Sequence, residues 1–156
     1  MSKIISGGQT GVDRAALDIG INKQIPIGGY CPKGRLAEDG IIDAKYPLIE
    51  TPLVKYEERT EWNVNESDGT LVLKLGEITG GTAFTIECLV RIERPYLVVD
   101  LQNDREDNIT LTTKFLEDNS IDILNIAGPR ESSNVGVYAI AFSFLNDLFG
   151  QELNNS

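Results

Sequence analysis

Short runs of continuous apolar residues, each ending at glycine or a turn and leading into helical spacing, recur along this chain. Ile4-Ile5 runs into Ser6-Gly7-Gly8. From Val12 the apolar positions Val12, Ala15, Ala16 and Ile19 fall at the i, i+3, i+4, i+7 spacing of a helix laid on a sheet, with Gly20 as its stop. Residues 25–31 (IPIGGYC) read as a second strand, and residues 32–46 as a loop rich in charge and glycine. Residues 47–54 (PLIETPLV) hold two prolines, which suits an irregular or edge segment. Tyr56 to Asn65 predicts a helix closed by a Ser-Asp-Gly turn, and Thr70 to Gly76 (TLVLKLG) a strand. "EITGGTAFTIECLVRIERP" then repeats the opening theme of glycines followed by a helix, here closed by Pro95. "YLVVD" predicts another strand, Leu111 to Asp118 a helix, "DILNIAG" a strand, and "VGVYAIAFSFLNDLF" a buried helix.

Strands that are apolar throughout, alternating with helices, argue for a mostly parallel sheet covered on both faces. The pattern predicts an α/β fold, a three-layer α/β/α Rossmann-like sandwich, as one domain over residues 1–150 with a polar tail at 151–156 that frays. In such sheets the loops at the carboxyl ends of the strands meet along one rim, where ligands bind.

Composition narrows the chemistry. The 156 residues contain no histidine, which removes the commonest general base and metal ligand, and with them imidazole triads and the usual zinc hydrolase sites. Net charge is −10, which disfavours nucleic acid as a partner. The acidity lies in the later chain: residues 1–40 carry five Lys/Arg against four Asp/Glu, and the rest carries nine against twenty. Cys31 and Cys88 have neither CxxC nor zinc spacing and read as buried thiols, no metal site being expected. No apolar run approaches a membrane span and Met1-Ser2-Lys3 opens no signal peptide, so the expectation is a cytoplasmic protein without membrane contact.

Three loops can present bare backbone N–H groups at a helix start: Ser6 to Gly11 (SGGQTG), Thr79 to Thr82 (TGGT) and Ala127 to Asn134 (AGPRESSN). Glycine lets the backbone approach a ligand, and a helix N-terminus adds about half a positive charge, which suits phosphate. The spacing of Gly7-Gly8-Gln9-Thr10-Gly11 matches neither GxGxxG nor a P-loop. The candidate ligand-binding residues are Gly7, Gly8, Gln9, Thr10 and Gly11, then Gly80, Gly81 and Thr82, then Gly128, Ser132 and Ser133. Arg14, Lys33, Arg35 and Arg130 supply the formal charge, since Arg grips phosphate through two parallel bonds.

Ordinary readings stand beside several of these. Asp13 in a first helical turn is common dipole chemistry, and Asp68-Gly69 is first a turn signal. Glu87 is spaced to pair with Arg91 on one helix. Trp62 suits packing better than stacking on a ligand, and "QNDREDN" reads as a solvated loop.

Five ordered blocks, "SGGQTGVDRAALD", "GGYCPKGRLAEDG", "RTEWNVNESDGTLVL", "GGTAFTIE" and "NIAGPRESSNVGVY", resemble the molybdenum carrier proteins, also described as molybdenum-cofactor carriers. The resemblance runs from about Ser6 to Leu148. It implies a Rossmann-like fold related to the lysine-decarboxylase-like (LOG-type) proteins with permuted strand order. It also implies a homo-oligomer that binds, stores or delivers molybdenum cofactor, a pterin with a terminal phosphate and a dithiolene-bound oxomolybdenum group. LOG-type enzymes cleave the N-glycosidic bond of nucleotide monophosphates and carry a GGxGTxxE pattern. Here Gly80-Gly81-Thr82-Ala83-Phe84-Thr85-Ile86-Glu87 keeps the glycines and the glutamate but has Ala83 and Phe84 in place of the inner Gly-Thr.

Three readings follow. One is a carrier of a phosphorylated anionic cofactor, with no protein thiolate on the metal. Another is a LOG-type phosphoribohydrolase with Glu87 or Asp68 as the base or charge stabiliser and Arg130 as the phosphate grip. The third is a nucleotide sensor without turnover. A Mg²⁺ ion bridging Asp13 or Asp68 to the ligand is left open by the sequence.

Overall fold

The computed structural model describes the backbone of residues 1–154 and the side chains of residues 1–150. Its central sheet has five strands in the order β2-β1-β9-β7-β8, all parallel. These are β1 (Lys3–Ile5), β2 (Ile27–Gly28), β7 (Gly69–Lys74), β8 (Tyr96–Asp100) and β9 (Ile123–Ala127). Five helices cover it: α1 (Val12–Lys23), α2 (Tyr56–Glu66), α3 (Gly80–Ile92), α4 (Arg105–Asp118) and α5 (Val137–Asn154). The α/β Rossmann-like sandwich expected from the apolar pattern is the fold observed.

Alternation along the strands assigns the layers. Ile4, Leu71, Leu73, Leu124 and Ile126 pack with α1, α4 and α5 through Val12, Ile19, Ile109, Leu116, Phe144 and Leu145. Val72, on the other face, packs with Val64 of α2 and with Cys88 and Leu89 of α3. Each such Leu, Ile or Phe contributes about 1.5–3 kcal/mol by leaving water. Among the described residues no helix is long and apolar enough to cross a membrane.

Between β2 and α2 the chain builds an annex. The predicted strand 25–31 is broken at Gly29, whose φ of +123° and close approach to the Ser6 carbonyl exclude a side chain. Ile27-Gly28 therefore pairs with β1, while β3 (Tyr30–Cys31) pairs with β6 (Ile49–Glu50). The predicted loop 32–46 contains a hairpin, β4 (Leu36–Ala37) with β5 (Gly40–Ile41), and its tip is Glu38-Asp39. Leu17, Cys31, Ile42, Tyr46 and Leu48 form a small core beneath it.

Helix boundaries differ from the pattern where local bonding decides. α1 continues past Gly20 to Lys23, and Gln24 closes it in the left-handed conformation, its N–H donating to the Gly20 and Ile21 carbonyls. The acidic run read as a loop starts α4: the Asp104 carboxylate caps the Asp107 N–H at 3.1 Å, and Glu106 and Asp107 sit in the first turn. α5 runs on through residues 151–154 of the expected tail, and residues 155–156 lie outside the described residues.

Candidate functional site

From the carboxyl ends of β1 and β7 the chain returns to β2 and β8 at opposite edges of the sheet, with α1 on one face and α3 on the other. A cavity of about 360 Å³ opens between their first turns, on the α2–α3 side, over the carboxyl ends of β9 and β7. Of the residues proposed from the sequence, Gly7, Gln9, Gly80, Gly81, Thr82, Gly128, Arg130 and Ser133 line it. The loops thus converge as expected.

The starts of α2 and α3 at this rim both lack a side-chain cap, but α2 carries Glu57 and Glu58 in its first turn while α3 carries no acid there. Thr79 holds the N-cap position without a side-chain cap, and the N–H groups of Gly80, Gly81 and Thr82 have no hydrogen-bond partner among the described residues. A Cβ built on Gly80 or Gly81 meets nothing within 4 Å. Three unpaired donors and the positive end of a 13-residue helix face the cavity.

The start of α5 is filled by the protein itself, and that of α1 in part. At α5 the Glu131 carboxylate accepts from the Gly136 N–H at 2.6 Å and the Tyr138 N–H at 2.9 Å. At α1 the Val12 N–H donates to the Pro129 carbonyl at 3.2 Å. Gly11, with φ of +78°, is pressed so close to that carbonyl that a Cβ would lie 2.4 Å from it.

Thr10 and Ser132, expected to donate to a ligand anion, hold Glu38 instead. The Ser132 N–H donates to this carboxylate at 3.1 Å and its hydroxyl at 2.5 Å, and the Thr10 hydroxyl donates to it as well. Those hydroxyl bonds hold the Glu38 carboxyl below its usual range. Arg130 lies 3.8 Å from the same carboxylate, with half its side chain exposed at the cavity edge.

Three expected cations lie outside the cavity. Arg14 donates to the Gly8 carbonyl at 3.0 Å and pairs with Asp39, also at 3.0 Å, so it braces the first loop against the hairpin tip. Arg35 spends its guanidinium on the carbonyls of Ile42, Asp43, Tyr46 and Leu48, at 2.8–3.3 Å, and holds the annex together. Lys33 is exposed on the annex. Gly8 is likewise absent from the lining, tucked against Leu48 and Ile42.

Both acids considered for catalysis are also elsewhere. Glu87 is exposed on α3 outside the lining, and Arg91 pairs not with it but with Glu61 at 2.6 Å. Asp68 precedes β7 and accepts from the Asp122 and Ile123 N–H groups at 3.0 and 2.8 Å, so it lies at the opposite end of the strands. Asp13 and Asp68, considered for a bridging ion, are therefore separated by the length of the sheet. Among the described residues no cluster of three or more acid or thiol side chains could hold a metal. Trp62 stands edge-on to Tyr30 at 5.0 Å, away from the cavity.

The cavity also uses residues not proposed from the sequence. Arg59 of α2 donates to the Gly7 carbonyl at 2.8 Å and lies 4.0 Å from the Asp13 carboxylate, both side chains nearly buried. Burial pushes the Asp13 carboxyl up, and Arg59 and the Gln9 N–H offset this only in part. Asn63, one helical turn beyond Arg59, is consumed by the Tyr30 backbone at 2.8 and 3.0 Å. The spacing of Arg59, Asn63 and the buried Val64 marks the sheet-facing side of α2, a signal available in the sequence. Lys74, a charge ending an apolar strand, was another; it pairs with Asp100 at 3.6 Å. The lining therefore carries Arg59, Lys74 and Arg130 against Asp13, Glu57 and Glu77. The expected positive hollow is in fact a polarised one.

Comparison with known proteins agrees with this architecture. No curated protein matches the chain. A crystal structure at 1.45 Å resolution, named "putative molybdenum carrier protein" and coming from Syntrophus aciditrophicus SB, superposes with a TM-score of 0.92. Its sequence is 45% identical, over 96% of this chain and 94% of that one. The family whose model matches this chain spans residues 4–149. The chain belongs to the circularly permutated YpsA SLOG family.

Proposed function

We propose that the protein binds a phosphorylated anionic cofactor in this cavity and carries it, the cargo being molybdenum cofactor. The observation that carries the reading is the open N-terminus of α3, whose glycines leave room for a phosphate against three unpaired N–H donors. Arg130 and Ser133 stand beside it in the lining. Apolar surface from Ile78, Phe84, Ile126 and Pro129 suits the flat body of a heterocycle, and the volume lies within the range of small-molecule sites. The similar crystal structure named as a molybdenum carrier supports the choice of cargo.

Carriage is favoured over glycosidic cleavage because Glu87 and Asp68 lie outside the cavity. Asp13 lies on the α1 side of it, against Arg59. Anaerobic titration of molybdenum cofactor into the protein tests the reading. We expect saturable binding, one per chain, displaced by pyrophosphate. No saturation, or release of free base from nucleotides by purified protein, overturns it; tight binding of nucleotides without turnover turns the reading to the sensor.

A further inference from the structure

We propose that Asp13 selects the ligand: it forms an acceptor pole opposite the α3 N-terminus and reads the paired amino and ring N–H donors of a 2-amino-4-oxopyrimidine edge. That edge is common to pterins and guanine. The inference rests on the binding reading above and names which end of the ligand each pole takes.

Asp13 is a charged group in an unusual position. Its side chain is only 10% exposed, yet it lines the cavity. Oδ2 accepts from the Gln9 N–H at 3.3 Å and faces the Arg59 guanidinium at 4.0 Å, both long contacts. Oδ1 accepts no N–H among the described residues, and the one hydroxyl beside the carboxylate, that of Ser6, donates to the Ile126 carbonyl at 2.9 Å. No sealed side-chain oxygen or nitrogen is left unpaired among them either, so Oδ1 opens into the cavity. Asn125 repeats the arrangement nearby. It is 3% exposed, its amide donates to the Thr70 hydroxyl at 3.2 Å, and its carbonyl oxygen is left for the cavity. Asn63 shows the contrast, since both ends of its amide are spent on Tyr30.

A buried carboxylate with incomplete compensation favours a guest that brings N–H donors. An amino group beside a ring N–H offers two parallel bonds to one carboxylate, the geometry that makes Arg–carboxylate pairs strong. Adenine places an amino group beside a ring nitrogen that only accepts. Against Asp13 one bond is lost and two acceptors face each other, which a site built for donors rejects. The two poles thus orient the ligand, anion toward Gly80-Gly81-Thr82 and donor edge toward Asp13.

Calorimetric titration of the wild type and of Asp13→Asn with neopterin monophosphate, GMP, IMP, AMP and inorganic pyrophosphate tests this. In the wild type, at least one of neopterin monophosphate and GMP should bind about tenfold or more tightly than AMP, the scale of one charge-assisted hydrogen bond. IMP, which keeps the ring N–H but lacks the amino group, should fall between. The tighter of the first two identifies the source of the edge. In Asp13→Asn the preference over AMP should shrink toward one while pyrophosphate still saturates the site, no more weakly than in the wild type because a negative charge has left the cavity wall, which also reports an intact fold. Wild-type protein that binds pyrophosphate but treats all four organic phosphates alike, or prefers AMP, overturns the inference and leaves the anion site standing. A preference that survives in Asp13→Asn overturns it too. Wild-type protein that binds no probe, pyrophosphate included, removes the anion site and this inference together.

Discussion

The starts of α3 and α5 look alike in sequence, each a strand, a glycine-bearing loop and a helix, but they are electrostatic opposites. α5 has its donors occupied by Glu131, five residues before Gly136, in two short bonds. α3 has no acid in its first turn and no side-chain cap. A helix end left without partners is costly unless something else fills it. The protein satisfies one end internally and leaves the other open, the end to which the proposed function assigns the anion. Internal anions such as Glu131 and Glu38 mark where no ligand phosphate is needed.

The same substitution at the two kinds of junction should give the largest contrast. Gly11→Ala forces a Cβ to 2.4 Å from the Pro129 carbonyl at a φ of +78°, and should cost about 3 kcal/mol of unfolding free energy. Gly81→Ala places its methyl in open space at a helix start and should leave stability within about 0.5 kcal/mol. Urea denaturation of both variants measures the difference. Equal midpoints would mean the closed junction is looser than its geometry.

Emptying the filled helix end is next in size. Glu131→Ala removes both bonds to the α5 backbone and the charge at its dipole, and should lower stability by about 1 kcal/mol. A thermal melt checks it. An unchanged midpoint would show that the two helix starts do not differ in the way described.

How far these differences were legible depends on the range of the interaction. The sheet, the helices and the meeting of three loops follow from apolar runs such as Leu71 to Leu73 and the stripe Val12, Ala15, Ala16, Ile19, which are local patterns. The annex was missed because its order comes from Arg35 reaching four carbonyls between Ile42 and Leu48, and no periodicity records that. Glycine and serine loops announce anion capture but not whose anion. Thr10 and Ser132 meet Glu38 from 28 and 94 residues away. In sequence Asp13 is as much a dipole acid as a ligand contact, and only the fold brings Arg59 against it.

Filling the open end should make α3 resemble α5. Gly81→Asp puts a carboxylate at the unpaired donors and should raise stability by about 0.5 kcal/mol, while pyrophosphate affinity falls about tenfold or more. Calorimetry and a melt on the same sample read both. Retained pyrophosphate binding would place the anion elsewhere than at α3.

The smallest effect separates two carboxylates of opposite sign. Glu38 has its folded pKa lowered from 4.5, first by the Ser132 and Thr10 hydroxyls, so its contribution is complete above about 4.5 and is lost as pH falls through the lowered value. Asp13 has its folded pKa raised from 3.8 by burial, against the pull of Arg59. Ionising it therefore works against the fold, and acidification from neutral through the raised value toward 3.8 relieves that cost. Melting temperatures followed across the acid range should show Glu38→Gln losing less stability than wild type below about pH 4.5. Asp13→Asn should lose the compensating gain and fall more steeply. Parallel curves for the three proteins would mean that neither carboxylate has the environment the fold gives it, and the acceptor pole assigned to Asp13 would lose its electrostatic basis.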